Sequence, residues 1–496
     1  MSVRARPVPN EQKANSGIRV RFAPSPTGDP HIGSIWTALM NWLFARSQGG
    51  EFVLRIEDTD RARLVEGSTE KIIEMLKWYG LNYDEGPIYQ SQRSSIYQKH
   101  ADMLVAKGSA YYCFCLPERL AELRKTAEAA KQPSKYDRHC LSLDAKEIEK
   151  RKGSGGKFVV RLKIPEGKTS FIDLIRGKIE FDNALIDDQV LLKSDGFPTY
   201  HLANVVDDYE MKISHVIRAE EWLSSTPKHI ILYNAFSWKP PEFAHLPLIL
   251  GPDRSKLSKR HGATGALAFR DEGYLPEAML NFLALLGWNP GTDQEIFSLN
   301  ELVKVFSLEA INKAGAIFNR EKLDWVNGMY IRKLLLAEFA ERAKPFLKAI
   351  SPIRQPADSP NRRGDDLFFQ RALATVQERV KRLSELPALT LFYFKRPEYD
   401  GALLVWKKAT PEITKDRLTK LLAFYSSSAF PVDEKILEEA TKAFIAKEHL
   451  ETGETLWPMR VALSGEKASP GPFQIAVVLG KEETIARLQV AIEKLG

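Results

Sequence analysis

One stretch restricts the possible folds of this chain more than any other: Arg21-Phe22-Ala23-Pro24-Ser25-Pro26-Thr27-Gly28-Asp29-Pro30-His31-Ile32-Gly33-Ser34. Ahead of it, Ile18 to Ala23 alternates apolar and charged side chains, the period of a strand. Behind it, Ile35, Trp36, Leu39, Met40, Leu43 and Phe44 recur at helical spacing, and Gly49-Gly50 closes that helix. A Pro- and Gly-rich loop therefore joins a strand to a helix. In α/β sheets such a junction holds nucleotides, because backbone N–H groups and the positive end of the helix face phosphate. The loop is neither GxxxxGK[ST] nor GxGxxG. It carries a histidine just ahead of a glycine. His31 can donate to phosphate oxygens, and Gly33 lets adenine approach the backbone closely.

The chain of 496 residues is too long for one core, so two to four domains are expected. Residues 1–17 read as a disordered tail without the apolar core of a secretory signal. From 18 to 110 the order is strand, helix, strand (Phe52 to Ile56), helix (Thr69 to Tyr79) and helix (Ser94 to Ala106), half of a nucleotide-binding sheet. From 111 to 193 the texture changes. A charged helix over Leu116 to Lys131, the turn Gly153-Ser-Gly-Gly156, a strand over Phe158 to Ile164 and a hairpin leading to Val190-Leu-Leu192 read as an insertion. The sheet resumes over 194–262. It brings a strand over His215 to Ala219, a helix capped by Ser225 or Thr226 that runs to Phe236, and a strand over His245 to Leu250. A helical region follows over 263–330, and helical periodicity dominates 331–496. The expected fold is thus α/β, a Rossmann-like parallel sheet with an α+β insertion, followed by an all-α C-terminal region.

Lys+Arg number 71 against Asp+Glu 64, a net charge of +7. That suits a polyanionic partner, but an ordinary solvated surface accounts for so mild an excess equally well. Three cysteines, Cys113, Cys115 and Cys140, are no disulfide framework and argue for a reducing compartment. The longest apolar stretches, such as Met279 to Trp288, are too short to span a bilayer. Cytoplasm and a monomer without membrane contact are the expectation.

Pro24 to Ser34 resembles the HIGH motif of class I aminoacyl-tRNA synthetases, with Ser34 where the last motif residue varies. Arg21-Phe-Ala-Pro-Ser-Pro-Thr-Gly, Ala38-Leu-Met-Asn-Trp-Leu-Phe-Ala-Arg46 and Leu54-Arg-Ile-Glu-Asp-Thr-Asp60 are similar to the bacterial glutamyl-tRNA synthetase family. Lys256-Leu-Ser-Lys-Arg260 resembles the second signature, KMSKS, of that class. The resemblance implies ATP with Mg²⁺, L-glutamate and tRNA(Glu) as reactants and partners. It implies an acceptor-binding insertion over 111–193, a stem-contact region over 263–330 and an anticodon-binding region over 331–496.

The chemistry asks for cations at the second signature. Attack of a carboxylate on the α-phosphate of ATP builds negative charge on phosphate oxygens, and mobile ammonium groups stabilise that charge most in the transition state. Lys259 is the first candidate and Lys256 the second; Gly251-Pro252 and Gly262 would let the loop close. Taken alone, a KxSKR run is a solvated basic loop; its place after the resumed sheet gives it meaning. With His31 these lysines form the expected catalytic set. The ATP contacts implied are Pro24, Thr27, Gly28, His31, Gly33, Ser34, Lys256, Ser258, Lys259 and Arg260.

Arg21 at a strand end offers a planar fork for a carboxylate. In the family the matching arginine reads the side-chain carboxylate of the substrate. Ser25 and Glu57 match residues that hold the amino acid, Glu57 opposite its ammonium; Tyr200, Asn204, Arg218 and Trp222 fall on further substrate positions. The bland alternative is two core aromatics and an internal Arg218–Glu57 ion pair.

Cys113, Cys115 and Cys140 sit where some relatives ligate zinc, with Tyr136 or His139 as fourth ligand. Small buried thiols are the alternative. Thr375 to Leu383 reads as a basic helical stretch. Arg379 falls where some relatives place an arginine that separates the third anticodon base of tRNA(Glu), a cytosine, from the guanine of tRNA(Gln). An ion pair with Glu378 or Glu385 is the alternative there. Rival functions are the glutamylation of queuosine in tRNA(Asp), glutaminyl specificity and a catalytically dead RNA-binding homologue.

Overall fold

Strands Arg19–Phe22 (β1) and Glu51–Ile56 (β2) pair in parallel, Arg21 opposite Val53, with helix Ile32–Ser47 (α1) as the crossover. This is a computed structural model, and it describes residues 17–132, 135–261, 265–348 and 365–496. The tail 1–16, Gly262 and the side chain of Lys259 lie outside the described residues. Helix α1 buries Ile32, Ile35, Trp36, Leu39, Met40 and Leu43, the apolar stripe visible in the sequence. Phe52, Val53, Leu54 and Ile56 are buried too, as a parallel strand covered on both faces requires. Arg55 is the exception, a fully buried cation in that run.

Helix Ser68–Tyr79 (α2) and strand Glu85–Tyr89 (β3) complete the first half, β3 parallel to β2. Helix Ser94–Ala106 (α3) leads into strand Ala110–Cys113 (β4), then helices Pro117–Ala129 (α4) and Ala145–Gly153 (α5). Strands Val159–Leu162 (β5), Lys168–Asp173 (β6), Gly177–Asp182 (β7) and Val190–Leu192 (β8) follow. β5 stands between β4 and β8, antiparallel to both. The β6–β7 hairpin goes elsewhere: Asp173 of β6 pairs in parallel with Phe243.

Helix Tyr200–Glu210 (α6), strand His215–Ala219 (β9), helix Thr226–Phe236 (α7) and strand Glu242–Leu246 (β10) form the second half. The sheet order is β7-β6-β10-β9, and Ser214 N–H donates to Arg19 O (2.8 Å), which sets β9 beside β1. From β1 the chain steps outward through β2 and β3; from β9 it steps the other way to β10. The gap between β1 and β9 is therefore the switch point of the sheet, where α/β folds bind ligands at the C-terminal strand ends.

Three expectations fail locally. The strand over His245 to Leu250 is two strands. β10 ends at Leu246, Pro247 has no N–H for a ladder, and Ile249–Leu250 (β11) pairs with Ala316–Ile317 (β12) instead. Neither Ser225 nor Thr226 caps α7 with its side chain; the Thr226 hydroxyl sits against Trp222 O (3.3 Å) and His245 Nε2 (3.1 Å). Thr375 to Leu383 is not a helix. The helix before it, Asp365–Ala374, stops because Thr375 Oγ1 bonds Ala372 O (2.7 Å) and Gln377 Nε2 is drawn to Ile331 O and Leu334 O (2.9 Å each). The local Thr375 bond and the long-range Gln377 bonds both compete with the helical ladder.

The chain divides into two compact units, Met1–Phe269 with Met279–Asn319 and Arg270–Ala278 with Arg320–Gly496. Among its described residues the second unit holds only helices and short 3-10 turns. One core of this unit gathers Tyr393, Leu418, Leu421, Tyr425, Met459 and Ile475 from the helices over Leu386–Phe394, Pro411–Ser427, Thr452–Ser464 and Pro472–Leu479. No described helix is long and apolar enough to cross a membrane.

Candidate active site

The loop after β1 is pinned by hydrogen bonds around its turns. Glu57 N–H donates to Pro24 O (3.0 Å), Val65 N–H to Pro26 O (3.0 Å), and Ser68 Oγ to Gly28 O (2.6 Å). Ser25 and Thr27 stay exposed. His31 is the N-cap of α1: its Nδ1 accepts from Gly33 N–H (3.1 Å). A neutral ring whose Nδ1 accepts carries its proton on Nε2, so the other edge is a hydrogen-bond donor. A Cβ placed on Gly33 would meet only His31 Nδ1, at an ordinary 3.5 Å. Among the described residues nothing demands glycine there. Ser34 follows in the first helical turn, half-buried.

Next to this loop lies a buried cluster of charge. Asp208 on α6 accepts on one oxygen from both Arg21 Nε (3.1 Å) and Arg55 Nη1 (2.7 Å). Arg55 Nη2 donates to Glu57 Oε1 (3.0 Å) and Asn204 Oδ1 (3.1 Å); Asn204 also takes Arg21 Nη2 (3.4 Å). Burial lowers Arg55, but Asp208, Glu57 and Asp207 outweigh it and lift it well above its usual value. Burial raises Glu57 against the pull of Arg55 and Arg21. Its Oε2 accepts no hydrogen bond among the described residues, so this carboxylate has room for a further cation.

Arg218, at the end of β9, is only 4% exposed, and all its partners are neutral. Nε faces His245 Nε2 (3.1 Å), Nη1 donates to Tyr200 OH (3.0 Å), and Nη2 donates to Thr226 Oγ1 (2.9 Å) and Trp222 O (3.5 Å). His229 Nδ1 lies 3.4 Å from both terminal nitrogens. Among the described residues no carboxylate touches it, so the Arg218–Glu57 pair does not form. Burial, with Arg21 nearby, lowers its pKa. Tyr200 and Trp222 pack ring on ring (4.2 Å) beside it. A desolvated guanidinium without a counter-charge is costly unless an anion arrives.

Arg21, Glu57 and Asn204 are thus joined in one network, and Tyr200, Arg218 and Trp222 in a neighbouring one. Ser25 contributes no side-chain hydrogen bond to either among the described residues. The sequence reading missed Arg55, Asp208, Thr226, His229 and His245. Arg55 in an apolar strand and Asp207-Asp208 behind Val205-Val206 were the signals that could have found the first two. The polar neighbours of Arg218 gave no comparable signal.

The Lys256–Arg260 loop follows β11. Lys256 pairs with Glu221; both are half-exposed, and such pairs contribute at most about 1 kcal/mol, so the ammonium is easily released. Arg260 is held by Asp253 (2.9 Å) and Ser255 Oγ (2.5 Å), and Ser258 N–H donates to His261 Nδ1 (3.1 Å). A Cβ on Gly251 would strike the His261 ring at 2.8 Å, so the loop packs only with glycine there.

Away from this site the thiols of Cys113, Cys115 and Cys140 lie within 4.8 Å of one another, Cys115 and Cys140 at 3.6 Å. Tyr136 OH stands 3.4 Å from Cys113 Sγ and 3.3 Å from Cys115 Sγ. Tetrahedral zinc with Zn–S near ~2.3 Å separates its sulfurs by about 3.8 Å, so three thiols and a phenol at these spacings fit it. His139 is exposed and outside the group. Burial raises Cys115 to about 11, while hydrogen bonds from Tyr136 and Arg161 overcome burial and lower Cys113.

A nucleotide-type loop and two buried arginine networks thus stand on the α/β sheet, and a lysine loop follows the separate β11–β12 pair. The catalytic-domain family "tRNA synthetases class I (E and Q)" matches residues 17–325, and an anticodon-binding-domain family matches 338–492. The chain belongs to the class I tRNA synthetases of the E and Q type. Within that class it is 49% identical over 488 residues to a glutamate–tRNA ligase of Dehalococcoides mccartyi, covering 96% of this chain and 98% of that one. It is 46% identical to glutamate–tRNA ligase 2 of Thermoanaerobacter pseudethanolicus over 96% and 98% of the two chains. A crystal structure of a glutamate tRNA ligase from Elizabethkingia meningosepticum, in complex with its amino acid, superposes with a TM-score of 0.86 at 35% identity, covering 97% of this chain and all of the other.

Proposed function

We propose that this chain is a glutamate–tRNA ligase. It condenses L-glutamate with ATP to glutamyl-adenylate and pyrophosphate, then passes glutamate to the 3′-terminal adenosine of tRNA(Glu), releasing AMP. The observation that carries the choice of amino acid is Arg218, a buried guanidinium whose hydrogen-bond partners are all neutral. It supports an anionic side chain in the pocket, because a neutral amide would leave the charge uncompensated.

In this reading the glutamate ammonium meets the open oxygen of Glu57, and its side-chain carboxylate meets Arg218 with Arg21 behind it. Tyr200, Asn204, Trp222 and Ser25 complete the wall. The α-carboxylate is then held toward the nucleotide loop, and an oxygen of it attacks the α-phosphorus while the bond to pyrophosphate breaks. His31 Nε2–H and the N-terminus of α1 face the phosphate oxygens, where charge grows. Pro24, Thr27, Gly28, Gly33 and Ser34 cradle the nucleotide. Lys256, once it leaves Glu221, joins Lys259 on the departing pyrophosphate, with Ser258 and Arg260 shaping the loop. Mg²⁺ carried by ATP supplies further positive charge on the phosphates. In the second step a ribose hydroxyl of the tRNA attacks the activated carbonyl and AMP leaves. Orientation accounts for this step, since the adenylate is already a mixed anhydride.

ATP–pyrophosphate exchange, with and without tRNA, tests the reading. Exchange that depends on glutamate and not on glutamine is expected. Exchange driven equally by glutamine, or none with any tRNA present, would overturn it.

Cys113, Cys115, Tyr136 and Cys140 hold a structural zinc ion in the same reading. Purified protein should then carry about one zinc per chain, and a chelator should loosen the 111–193 segment. Metal-free protein with unchanged proteolytic resistance there would make the thiols packing residues. Arg379, exposed and in no ion pair among the described residues, is the anticodon reader. Glu385, one of its alternative partners, is held by Arg382 (3.2 Å).

A further inference from the structure

The hydrogen bonds around Arg218 continue one residue deeper. Asp173, at the end of β6, accepts on one oxygen from the backbone N–H groups of Ile175 (3.0 Å) and Arg176 (2.9 Å). Its other oxygen accepts from His245 N–H (3.1 Å) and stands 2.6 Å from His245 Nδ1. Burial and these bonds fix the protonation on both sides. Burial works against the Asp173 charge, but the bonds it accepts win and keep it ionised. Burial drives His245 down to about 4, so near neutral pH the ring is uncharged with its proton on Nδ1, facing Asp173. Nε2 then carries a lone pair, and that lone pair faces Arg218 Nε–H at 3.1 Å.

We propose that Asp173 and His245 are positioning residues for amino-acid selection: together they set Arg218 in the pose that reads the substrate carboxylate while leaving its charge unneutralised. This rests on the pocket being the glutamate site. The contrast with Arg21 gives the reason for the arrangement. Arg21 touches a carboxylate directly, Asp208 at 3.1 Å, and its charge is largely spent inside the protein. Arg218 has its counter-charge one ring away. A neutral imidazole holds the guanidinium by geometry, and the full positive charge stays available to the ligand. The neutral Thr226, Tyr200 and His229 contacts work the same way, but only His245 is tied to a buried anion. Asp173 lies on the hairpin of the 111–193 segment, and β6 reaches the pocket because it pairs with β10 beside His245.

Asp173→Asn tests the effect. Two backbone N–H groups hold the oxygen of the amide on their side, so its NH₂ faces His245 Nδ1 and no longer accepts from His245 N–H. The ring must then accept at Nδ1 and move its proton to Nε2, where it meets Arg218 Nε–H donor to donor, and Arg218 turns away. Outer partners that fix the tautomer of metal-bound histidines are typically worth about 10–100-fold, and the same order is expected here. The expected result in ATP–pyrophosphate exchange is a rise of that size in the KM for glutamate, an unchanged KM for ATP, and a matching fall in preference for glutamate over glutamine. His245→Gln offers a carbonyl that accepts from Arg218 without needing Asp173, so adding Asp173→Asn to it should cost nothing further. If the single Asp173 variant does not fold, the two histidine-based variants carry the comparison. An unchanged glutamate KM and selectivity in folded Asp173→Asn, or a full extra penalty in the double variant, would overturn the positioning role. Wild-type protein without glutamate-dependent exchange would sink the pocket assignment itself, and the two failures are read from different samples.

Discussion

At the scale of single residues, two arginines divide the work. Arg21 shares Asp208 with Arg55, and Arg218 has no carboxylate of its own among the described residues. Arg218→Gln should therefore lose about 10²–10³ in kcat/KM for glutamate, more than Arg21→Gln, with ATP binding intact; steady-state exchange kinetics measure it. Asp208→Asn leaves two buried guanidinium groups undercompensated and should destabilise the first unit by about 3–5 kcal/mol, read from denaturant melts. Two buried histidines and the half-buried His201 set a pH dependence. Burial lowers His245 to about 4, His201 to about 3 and His229 well below 6.5. The unfolded chain binds protons on them before the folded one does. Their contribution to stability is therefore complete above pH 6.5 and lost as the pH falls toward 3. The melting temperature should drop across that window, and His201→Gln should flatten part of the slope. Arg21, Glu57 and Arg218 were legible because each sits in a recognisable short motif. Asp208 and Asp173 were not: they meet their partners across 187 and 72 residues of chain, which no local pattern encodes.

At the scale of elements, the strand–loop–helix junction was readable because period two, a Pro/Gly break and period 3.6 follow one another within thirty residues. His31 as the cap of α1 was not, since histidine is no usual cap; its role follows from the 3.1 Å bond to Gly33 N–H. The failures differ in character. Pro247 splits a strand because it has no N–H for the ladder, whereas Thr375 and Gln377 side chains end a helix through partners elsewhere in the chain. Gly33→Ala separates packing from ligand space. Among the described residues the added methyl meets one ordinary contact, so the melting point should hold while the KM for ATP rises in exchange assays. An unchanged ATP KM would move the base elsewhere.

At the scale of the molecule, the front and the rear of the chain match two different families, a catalytic domain and an anticodon-binding domain, and the net charge of +7 suits a nucleic acid partner without identifying it. Hydrophobic periodicity announced the division, an α/β front and a helical rear; which tRNA the rear reads was beyond it. Arg379→Gln should relax the preference for tRNA(Glu) over tRNA(Gln) and leave exchange kinetics unchanged, because anticodon bases are read through their exposed edges. The most direct measurement of the whole account is charging of purified tRNA(Glu) with labelled glutamate and labelled glutamine in parallel. Label from glutamate alone, attached at the 3′-terminal adenosine and dependent on ATP, is the predicted result. Glutamine attached to the same tRNA, or adenylate formed without transfer to it, would contradict the account.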